Sequence, residues 1–216
     1  KYYNNQLAIN KVNFKINSGE IVGFLGPNGA GKSTTMKIIS CYIKPSNGDV
    51  FVDGTSIHDN QIEVKRKIGY LPENNPLYEE MYVRESIALI AKIHNVENYK
   101  SAVENVIKKV GLKKEAHKKI GQLSKGYQQR VGIAQAIVHD PKVLILDEPT
   151  SGLDPNQLNE IRLLIRNLGK NKTVILSTHI LQEVESICDR IIVINNGEIV
   201  ADKNLDKNII SKTNIT

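Results

Sequence analysis

Short apolar runs alternate with helix-like segments in the first and last thirds of the chain. The runs predict buried strands, and they lie at residues 20–25, 67–71, 143–147 and 173–177. A helical stretch follows the first run to about residue 41, and Asp154-Pro155 has the cap-then-proline start of another helix. Strands that alternate with helices in this way predict an α/β fold with a mainly parallel sheet.

Two further patterns predict short strands that end in turns. Residues 49–52 form a short strand followed by the turn signal Asp53-Gly54. Residues 190–195 and 198–201 are apolar runs on either side of Asn196-Gly197, which is typical of a tight antiparallel turn. The sheet is therefore expected to have an antiparallel edge.

The middle of the chain is helical. Residues 83–94, 97–110 and 124–138 predict three helices with no strand between them. We therefore predict one domain over residues 1–216, with a core at 1–71 and 140–216 and an inserted helical subdomain at 72–139.

Composition narrows the class of protein. Lys+Arg 29 minus Asp+Glu 23 gives a formal charge of +6. This excess suits phosphate ligands, an anionic membrane surface or nucleic acid, and equally a solvated lysine-rich surface. Cys41 and Cys188 have neither metal-site spacing nor a neighbouring His cluster, so we predict two buried, reduced thiols. No apolar run approaches the length of a membrane span, so if the domain works at a membrane another polypeptide would have to cross the bilayer.

The first strand runs into a phosphate-binding loop. Residues 26–33 fit the pattern G-x-x-x-x-G-K-[ST], in which glycines let backbone N–H groups face phosphate oxygens at a helix start. Lys32 is expected to reach the β- and γ-phosphates, and Ser33 to ligate Mg²⁺. The predicted nucleotide contacts in this loop are Asn28, Gly29, Ala30, Gly31, Lys32, Ser33 and Thr34.

Two carboxylates end a later strand. Asp147 and Glu148 follow the apolar residues 143–146, which places them at the carboxyl edge of the sheet. Asp147 is expected to hold Mg²⁺, and Glu148 to orient or deprotonate the attacking water. On their own, such acids are also common as helix caps and turns.

A resemblance becomes specific at residues 123–130, which read LSKGYQQR. This segment resembles the signature sequence of ABC transporter ATP-binding domains. The resemblance implies that Ser124 and Gly126 contact the γ-phosphate held by the opposite subunit of a dimer. Lys125 and Tyr127 stand where the family usually has Gly and Gln. These two departures are expected to affect the strength of the γ-phosphate contact and not its presence, because Ser124 and Gly126 are kept.

The same resemblance assigns further residues. Residues 151–154 resemble the D-loop between the two sites of a dimer, and His179 matches the switch histidine at the γ-phosphate. Tyr3 matches the aromatic residue that stacks on adenine, and the adjacent Tyr2 is a second aromatic residue at this place in the sequence. Glu73 stands where the family usually has Gln and is expected to face Mg²⁺ or its water; the plainer interpretation is a solvated loop acid.

The resemblance covers nearly the whole chain and implies a P-loop NTPase with a RecA-like core. Residues 68–85 and 123–156 are similar to gliding-motility-type and multidrug-exporter-like ATP-binding subunits of bacteria. The implied cofactors are ATP and Mg²⁺. The implied partners are a second nucleotide-binding domain, identical or different, and membrane-spanning permease subunits, with no nucleic acid.

The expected location is the cytoplasmic face of the bacterial inner membrane, as a peripheral subunit. Two other functions stay open: a soluble ABC-type ATPase acting on ribosomes or DNA, and a nucleotide-gated clamp with negligible turnover. One apolar set either receives a helix of a membrane subunit or packs within the helical subdomain, namely Leu77, Tyr78, Met81 and Tyr82.

Overall fold

The computed structural model describes residues 1–205. Ten strands, seven α-helices and one 3₁₀ turn at Ile120–Gln122 make up this part of the chain. Their order is β1 (Tyr2–Tyr3), β2 (Gln6–Leu7), β3 (Ile21–Leu25), α1 (Lys32–Ile39), β4 (Phe51–Val52), β5 (Thr55–Ser56), α2 (Gln61–Lys67), β6 (Ile68–Leu71), α3 (Val83–Ile93), α4 (Tyr99–Lys109), α5 (Lys125–Ile137), β7 (Val143–Asp147), α6 (Pro155–Gly169), β8 (Thr173–Thr178), α7 (Leu181–Ile187), β9 (Arg190–Asn195) and β10 (Glu198–Asn204).

A six-stranded sheet in the order β10-β9-β3-β8-β7-β6 organises the fold. Neighbouring strands from β9 to β6 run parallel, and β10 pairs antiparallel with β9 through the Asn196-Gly197 turn. The predicted mainly parallel sheet with an antiparallel edge is therefore confirmed. In register, Leu25 pairs with Thr178 and Asp147 with Ser177, so the loops that leave β3, β7 and β8 start side by side.

Two apolar clusters cover opposite faces of this sheet. On β7, Leu144 and Leu146 belong to one cluster and Ile145 to the other, as the two-residue repeat of a strand requires. On β3, Val22 and Phe24 join the second cluster together with Met36 of α1. Strands that are apolar on both faces explain why the sequence shows continuous apolar runs here instead of alternation.

Helices α3, α4 and α5 occupy the interval between β6 and β7, as predicted. Their apolar faces share one cluster with the core sheet, for example through Ile87, Val103 and Ile133. Helix α5 also lies directly on β6: a Cβ at Gly69 would meet the carbonyl oxygen of Ala136 at 2.0 Å. The end of α5 thus packs on the core, and the subdomain boundary at residue 139 stays a prediction.

Several elements differ from the sequence prediction. Helices α2 and α7 and the β1–β2 hairpin were not predicted, because each is short and has a weak apolar pattern. Helix α4 begins at Tyr99, since Asn98 caps it by accepting the backbone N–H of Ser101 at 3.4 Å. Both cysteines are buried thiols, as predicted, and burial raises the pKa of Cys41. Within residues 1–205, no helix is both long and apolar enough to span a bilayer.

Candidate active site

The phosphate-binding loop connects β3 to α1. Gly31 adopts φ 105°, and a Cβ there would lie 2.7 Å from Cγ2 of Ile9, so both the backbone angle and the close packing favour glycine. Helix α1 begins at Lys32, and its first N–H groups therefore have no carbonyl partner one turn back. Lys32 is buried and donates to the carbonyl oxygens of Gly26 at 2.9 Å and Pro27 at 3.2 Å. This arrangement folds the lysine back over its own loop.

Asp147 joins the loop to the sheet edge. Ser33 Oγ donates to Asp147 Oδ1 at 3.1 Å, and Ser177 Oγ donates to the same oxygen. Asp147 is fully buried at the end of β7. Ser33 and Asp147, which are both predicted to hold Mg²⁺, therefore contact each other.

Glu148 lies between Lys32 and His179, and these three side chains form the charged cluster of the site. Its Oε1 lies 3.4 Å from Nζ of Lys32, and its Oε2 lies 3.0 Å from Nδ1 of His179. The Glu148 backbone has φ 49°, the left-handed region that non-glycine residues seldom adopt. Its N–H donates to the carbonyl oxygen of Ser177 at 3.2 Å and to the hydroxyl at 3.1 Å. Unusual backbone angles held by such contacts cluster at functional sites.

The side chains at Asp147 fit a hard divalent cation. Among the described residues, the Oδ2 atom of Asp147 is buried without a hydrogen-bond partner, and such an atom is costly unless a ligand contacts it. No group of three or more His, Cys, Asp or Glu in residues 1–205 is arranged to hold a metal by itself. Mg²⁺ takes one or two protein ligands and completes its shell with water and phosphate oxygens.

The signature segment lies at the start of α5. Ser124 is the N-terminal flanking residue of this helix, and its Oγ accepts from Nε2 of Gln157 at 3.4 Å. A Cβ at Gly126 would also meet the Gln157 side chain, at 2.6 Å. The side chain of Lys125 approaches Gly152 of the D-loop segment. Ser124 and Gly126 thus contact the start of α6 and not the cluster around Lys32 and Glu148.

Within the described part of the chain, neither Glu73 nor Tyr3 makes a hydrogen bond or ion pair with Lys32, Asp147 or Glu148. Glu73, Lys125 and Glu148 line one cavity of about 440 Å³. Burial raises the pKa of Tyr70, with smaller contributions from the charges of Asp147, Tyr42 and Glu73. Glu73 therefore lies at the same cavity as Glu148, whose carboxylate contacts Lys32. Tyr3 is 44% exposed on the β1–β2 hairpin, under the ammonium of Lys1 at 5.4 Å.

Sequence reasoning missed four polar residues around Glu148 and His179. Ser177 donates to Asp147 and accepts from Glu148, while Thr150 and Thr178 both donate to the buried carboxylate of Glu183. The available signal was Ser177-Thr178, a polar pair that ends an otherwise apolar strand next to β7.

Fold and site together define an ATP-binding cassette. The family described as ABC transporter matches residues 9–151, so the chain belongs to that family. It is an ABC-type ATPase, a class whose cassettes power transport with partner membrane subunits. The recognition, the fold class and the enzyme class predicted from the sequence are thus confirmed.

The relatives agree with this class. The bacitracin transport ATP-binding protein BcrA of Bacillus licheniformis is 40% identical over 94% of this chain, which spans 66% of its length. The ABC transporter ATP-binding protein NatA of Bacillus subtilis (strain 168) is 36% identical over 89% of this chain and 80% of its own.

Solved structures share the fold. A dimeric post-hydrolysis state of the ATP-binding cassette MJ0796, bound to ADP and Pi, has TM-score 0.83 and 31% identity over 92% of this chain and 91% of its own. A nucleotide-free ATP-binding cassette from an ABC transporter has TM-score 0.85 and 26% identity over 99% of this chain and 92% of its own. The gliding-motility subgroup stays a prediction.

Proposed function

We propose that this cassette binds ATP in the loop at residues 26–33 and hydrolyses it to drive transport through membrane-spanning permease subunits. The observation that carries the proposal is the Glu148 carboxylate, which contacts the loop lysine through one oxygen and His179 through the other. A carboxylate between a phosphate-binding lysine and a histidine is placed to act on a water beside the γ-phosphate.

Binding begins with an exchange of partners at Lys32. The ammonium now contacts two carbonyl oxygens and Glu148, and a triphosphate offers it stronger, charged acceptors. The first N–H groups of α1 and the residues from Asn28 to Thr34 bind the phosphates. Tyr3 stacks on the adenine ring, and this role is supported by its 44% exposure on the β1–β2 hairpin.

Ser33, Asp147 and Glu73 are the residues proposed to hold Mg²⁺. The unpartnered Oδ2 of Asp147 and the hydroxyl of Ser33 beside it support this assignment. When bound, the ion neutralises charge on the β- and γ-phosphate oxygens.

In the hydrolytic step, Glu148 accepts a proton from water as the water oxygen attacks the γ-phosphorus. The bond from the γ-phosphorus to the β,γ-bridging oxygen breaks, and ADP and inorganic phosphate are the products. His179 holds Oε2 of Glu148, which fixes the direction of the carboxylate. His179 and Lys32 also stabilise negative charge on the phosphoryl group.

The working form is proposed to be a dimer of two such cassettes, identical or different. Ser124 and Gly126 lie at the start of α5, where N–H groups attract anions, and they contact the partner's γ-phosphate. The dimer of MJ0796 and the contact of Ser124 Oγ with Gln157 of α6 support this assembly.

The cassette is proposed to work as a peripheral subunit at the cytoplasmic face of the bacterial inner membrane. Leu77 and Met81 pack against the core cluster, whereas Tyr78 is 69% and Tyr82 is 44% exposed. The two tyrosines are therefore the members of the apolar set that remain available to a membrane subunit.

The test has two parts. Phosphate release by the pure chain with ATP and Mg²⁺ measures turnover, and absence of turnover would leave only the nucleotide-gated clamp. Affinity purification of the tagged chain from detergent extracts then identifies co-purifying proteins. Recovery of ribosomal proteins or DNA in place of membrane proteins would favour the soluble alternative.

A further inference from the structure

We propose that Glu183 is a positioning residue for ATP hydrolysis, which acts through Thr150 and Thr178 to hold Glu148 and His179 in contact. The inference rests on the proposed function, since it concerns the geometry of the same site. It assigns a role to a buried carboxylate that contacts neither the phosphate loop nor the proposed metal ligands.

Glu183 lies in the first turn of α7 and is 1% exposed. Its Oε1 accepts from the hydroxyl of Thr150 at 2.7 Å, and its Oε2 accepts from the hydroxyl of Thr178 at 2.6 Å. Both threonines are themselves buried, at 4% and 0% exposure. A carboxylate removed from water needs such donors, so the three side chains are strongly held together.

The two threonines belong to the two segments that carry the reacting groups. Thr150 follows Glu148 by two residues and immediately precedes the D-loop segment, and Thr178 immediately precedes His179. Because β7 and β8 are parallel neighbours, both segments leave the sheet at the same edge. One carboxylate therefore holds both segments through hydrogen bonds to residues next to Glu148 and His179. The side chains of Glu148 and His179 are themselves 3.0 Å apart.

Thr178 also sets the path of the chain after His179. Its hydroxyl oxygen accepts the backbone N–H of Ile180 at 3.1 Å while its proton goes to Glu183. The residues on both sides of His179 are thus tied to one side chain. His179 itself is 45% exposed at its side chain, so this anchoring and the contact with Glu148 define its position.

The arrangement predicts a specific defect. Removing one hydroxyl frees one segment from Glu183 while the phosphate loop and its lysine keep all their contacts. ATP affinity should therefore persist, and kcat should fall because the water-activating carboxylate and the histidine lose their relative placement. Displacements of about 1 Å at such sites cost up to about a hundredfold in rate.

The experiment compares Thr150→Val and Thr178→Val, which keep the branched shape and remove the hydroxyl, with Ser86→Ala. Ser86 is a matched control: it is 1% exposed and accepts from Nε2 of Gln135 at 2.6 Å, within the helical region. We expect kcat to fall tenfold or more in each threonine variant, with the calorimetric Kd for ATP within about twofold of wild type. Ser86→Ala should lower Tm by a similar amount and leave kcat unchanged.

Glu183→Gln and Glu183→Ala supply the rescue test. Gln keeps one acceptor oxygen, so it should retain more of kcat than Ala at equal folded fraction, and the threonine variants decide the matter if Ala does not fold. An unchanged kcat in both threonine variants overturns the proposal, as does a loss no larger than that of Ser86→Ala at equal loss of Tm. A wild-type chain without ATPase activity would overturn the proposed function, whereas an active wild type with unaffected variants overturns the role of Glu183 alone.

Discussion

The Oε2 atom of Glu148 lies 3.0 Å from Nδ1 of His179, although 31 positions separate the two residues. Helix α6 fills that interval and returns the chain to the neighbouring strand. Because β7 and β8 are parallel and in register at Asp147 and Ser177, their carboxyl ends deliver both side chains to the same edge. The contact is therefore a consequence of the βαβ topology, and the polar residues at the strand ends refine it.

Replacing Lys32 with Ala should weaken ATP binding tenfold or more, about 1.4 kcal/mol. The reason is that Lys32 supplies a buried ammonium beside the loop carbonyls of Gly26 and Pro27. Isothermal titration calorimetry with ATP measures the change.

The matched control for that experiment is Lys172→Ala. Lys172 is also buried, and it also donates to a carboxylate, Asp140 at 2.6 Å, and to a carbonyl oxygen, that of Pro141. It lies at the opposite end of β8 from His179, so its loss should change stability and not ATP affinity. Equal losses of affinity in both variants would contradict the assignment of Lys32.

Asp147→Asn should weaken binding of ATP only when Mg²⁺ is present. Asn keeps the size of the side chain and an oxygen that can accept from Ser33, but it removes the charge that a divalent cation requires. Calorimetry in Mg²⁺ and in EDTA separates the two contributions. If the variant binds ATP as wild type does in both buffers, Asp147 does not hold the metal.

Ser124→Arg should leave ATP binding by the monomer nearly intact and abolish ATP-dependent dimerisation and turnover. Within the subunit, Ser124 Oγ contacts Gln157 of α6. We therefore expect a larger side chain at this position to disturb α6 and not the phosphate loop. Calorimetry and size-exclusion chromatography provide the two measurements. Ser101→Arg, at an exposed position in α4, is the control for added charge and bulk. A collapse of monomer affinity would place Ser124 in its own subunit's site.

Strong local patterns predicted most of the fold. The strand at Val143–Asp147 was predicted to the residue, because it is a continuous apolar run ending in acids. The helix at Pro155–Gly169 was predicted from Asp154, whose carboxylate accepts from the N–H groups of Asn156 and Gln157. Helix α7 was missed because its apolar residues Val184 and Ile187 are too few to give a periodic pattern in seven residues.

The candidate site divides in the same way. Residues in the phosphate loop and at Asp147-Glu148 were predicted because glycines and acids at fixed spacing directly indicate binding of phosphate and Mg²⁺. Ser177, Thr150 and Glu183 were missed because their partners are set by strand pairing and burial, which single-sequence patterns do not contain. The approach of Lys125 to Gly152 depends in the same way on how α5 packs near α6.

The pH dependence of stability should contain a contribution from His139. Burial lowers the pKa of His139 to about 4 from an ordinary 6.5, and the charge of His94 adds to the shift. The rings of His94 and His139 stack with centroids 3.7 Å apart, and burial and Arg66 lower the pKa of His94 as well. Lys172 lowers and Asp140 raises the pKa of His139 in smaller measure.

The sign of this effect follows from proton binding. The unfolded chain takes up the proton near pH 6.5 and the folded chain only near pH 4, so the stability present above pH 6.5 is lost as the pH falls between these values. At pH 4.5 the loss should be about 2 kcal/mol, reduced from full burial because the ring is partly exposed. Urea unfolding of wild type and His139→Gln at pH 7 and 4.5 measures it. Equal losses in both proteins would contradict the prediction.

Glu148→Gln should lower turnover about 10²- to 10⁴-fold, the usual contribution of a general base. Phosphoryl transfer needs little covalent help, so placing and deprotonating the water is a main task of the protein. Gln keeps the size and one acceptor oxygen, and it faces the same neighbours, Lys32 at Oε1 and His179 at Oε2. It cannot take up the proton, so the chemical step should fail while the geometry persists.

ATP binding by Glu148→Gln should survive and tighten, because one negative charge beside the γ-phosphate is gone and Lys32 no longer has an anionic partner. The ATP-bound dimer should then accumulate, visible as a doubled mass in size-exclusion chromatography with ATP and not with ADP. Glu160→Gln is the control, since Glu160 pairs with Arg130 at the surface and its loss should alter neither turnover nor mass. Wild-type hydrolysis by Glu148→Gln would remove Glu148 from the role of base, whereas slow hydrolysis with no ATP-bound dimer would retain the base and contradict the proposed assembly.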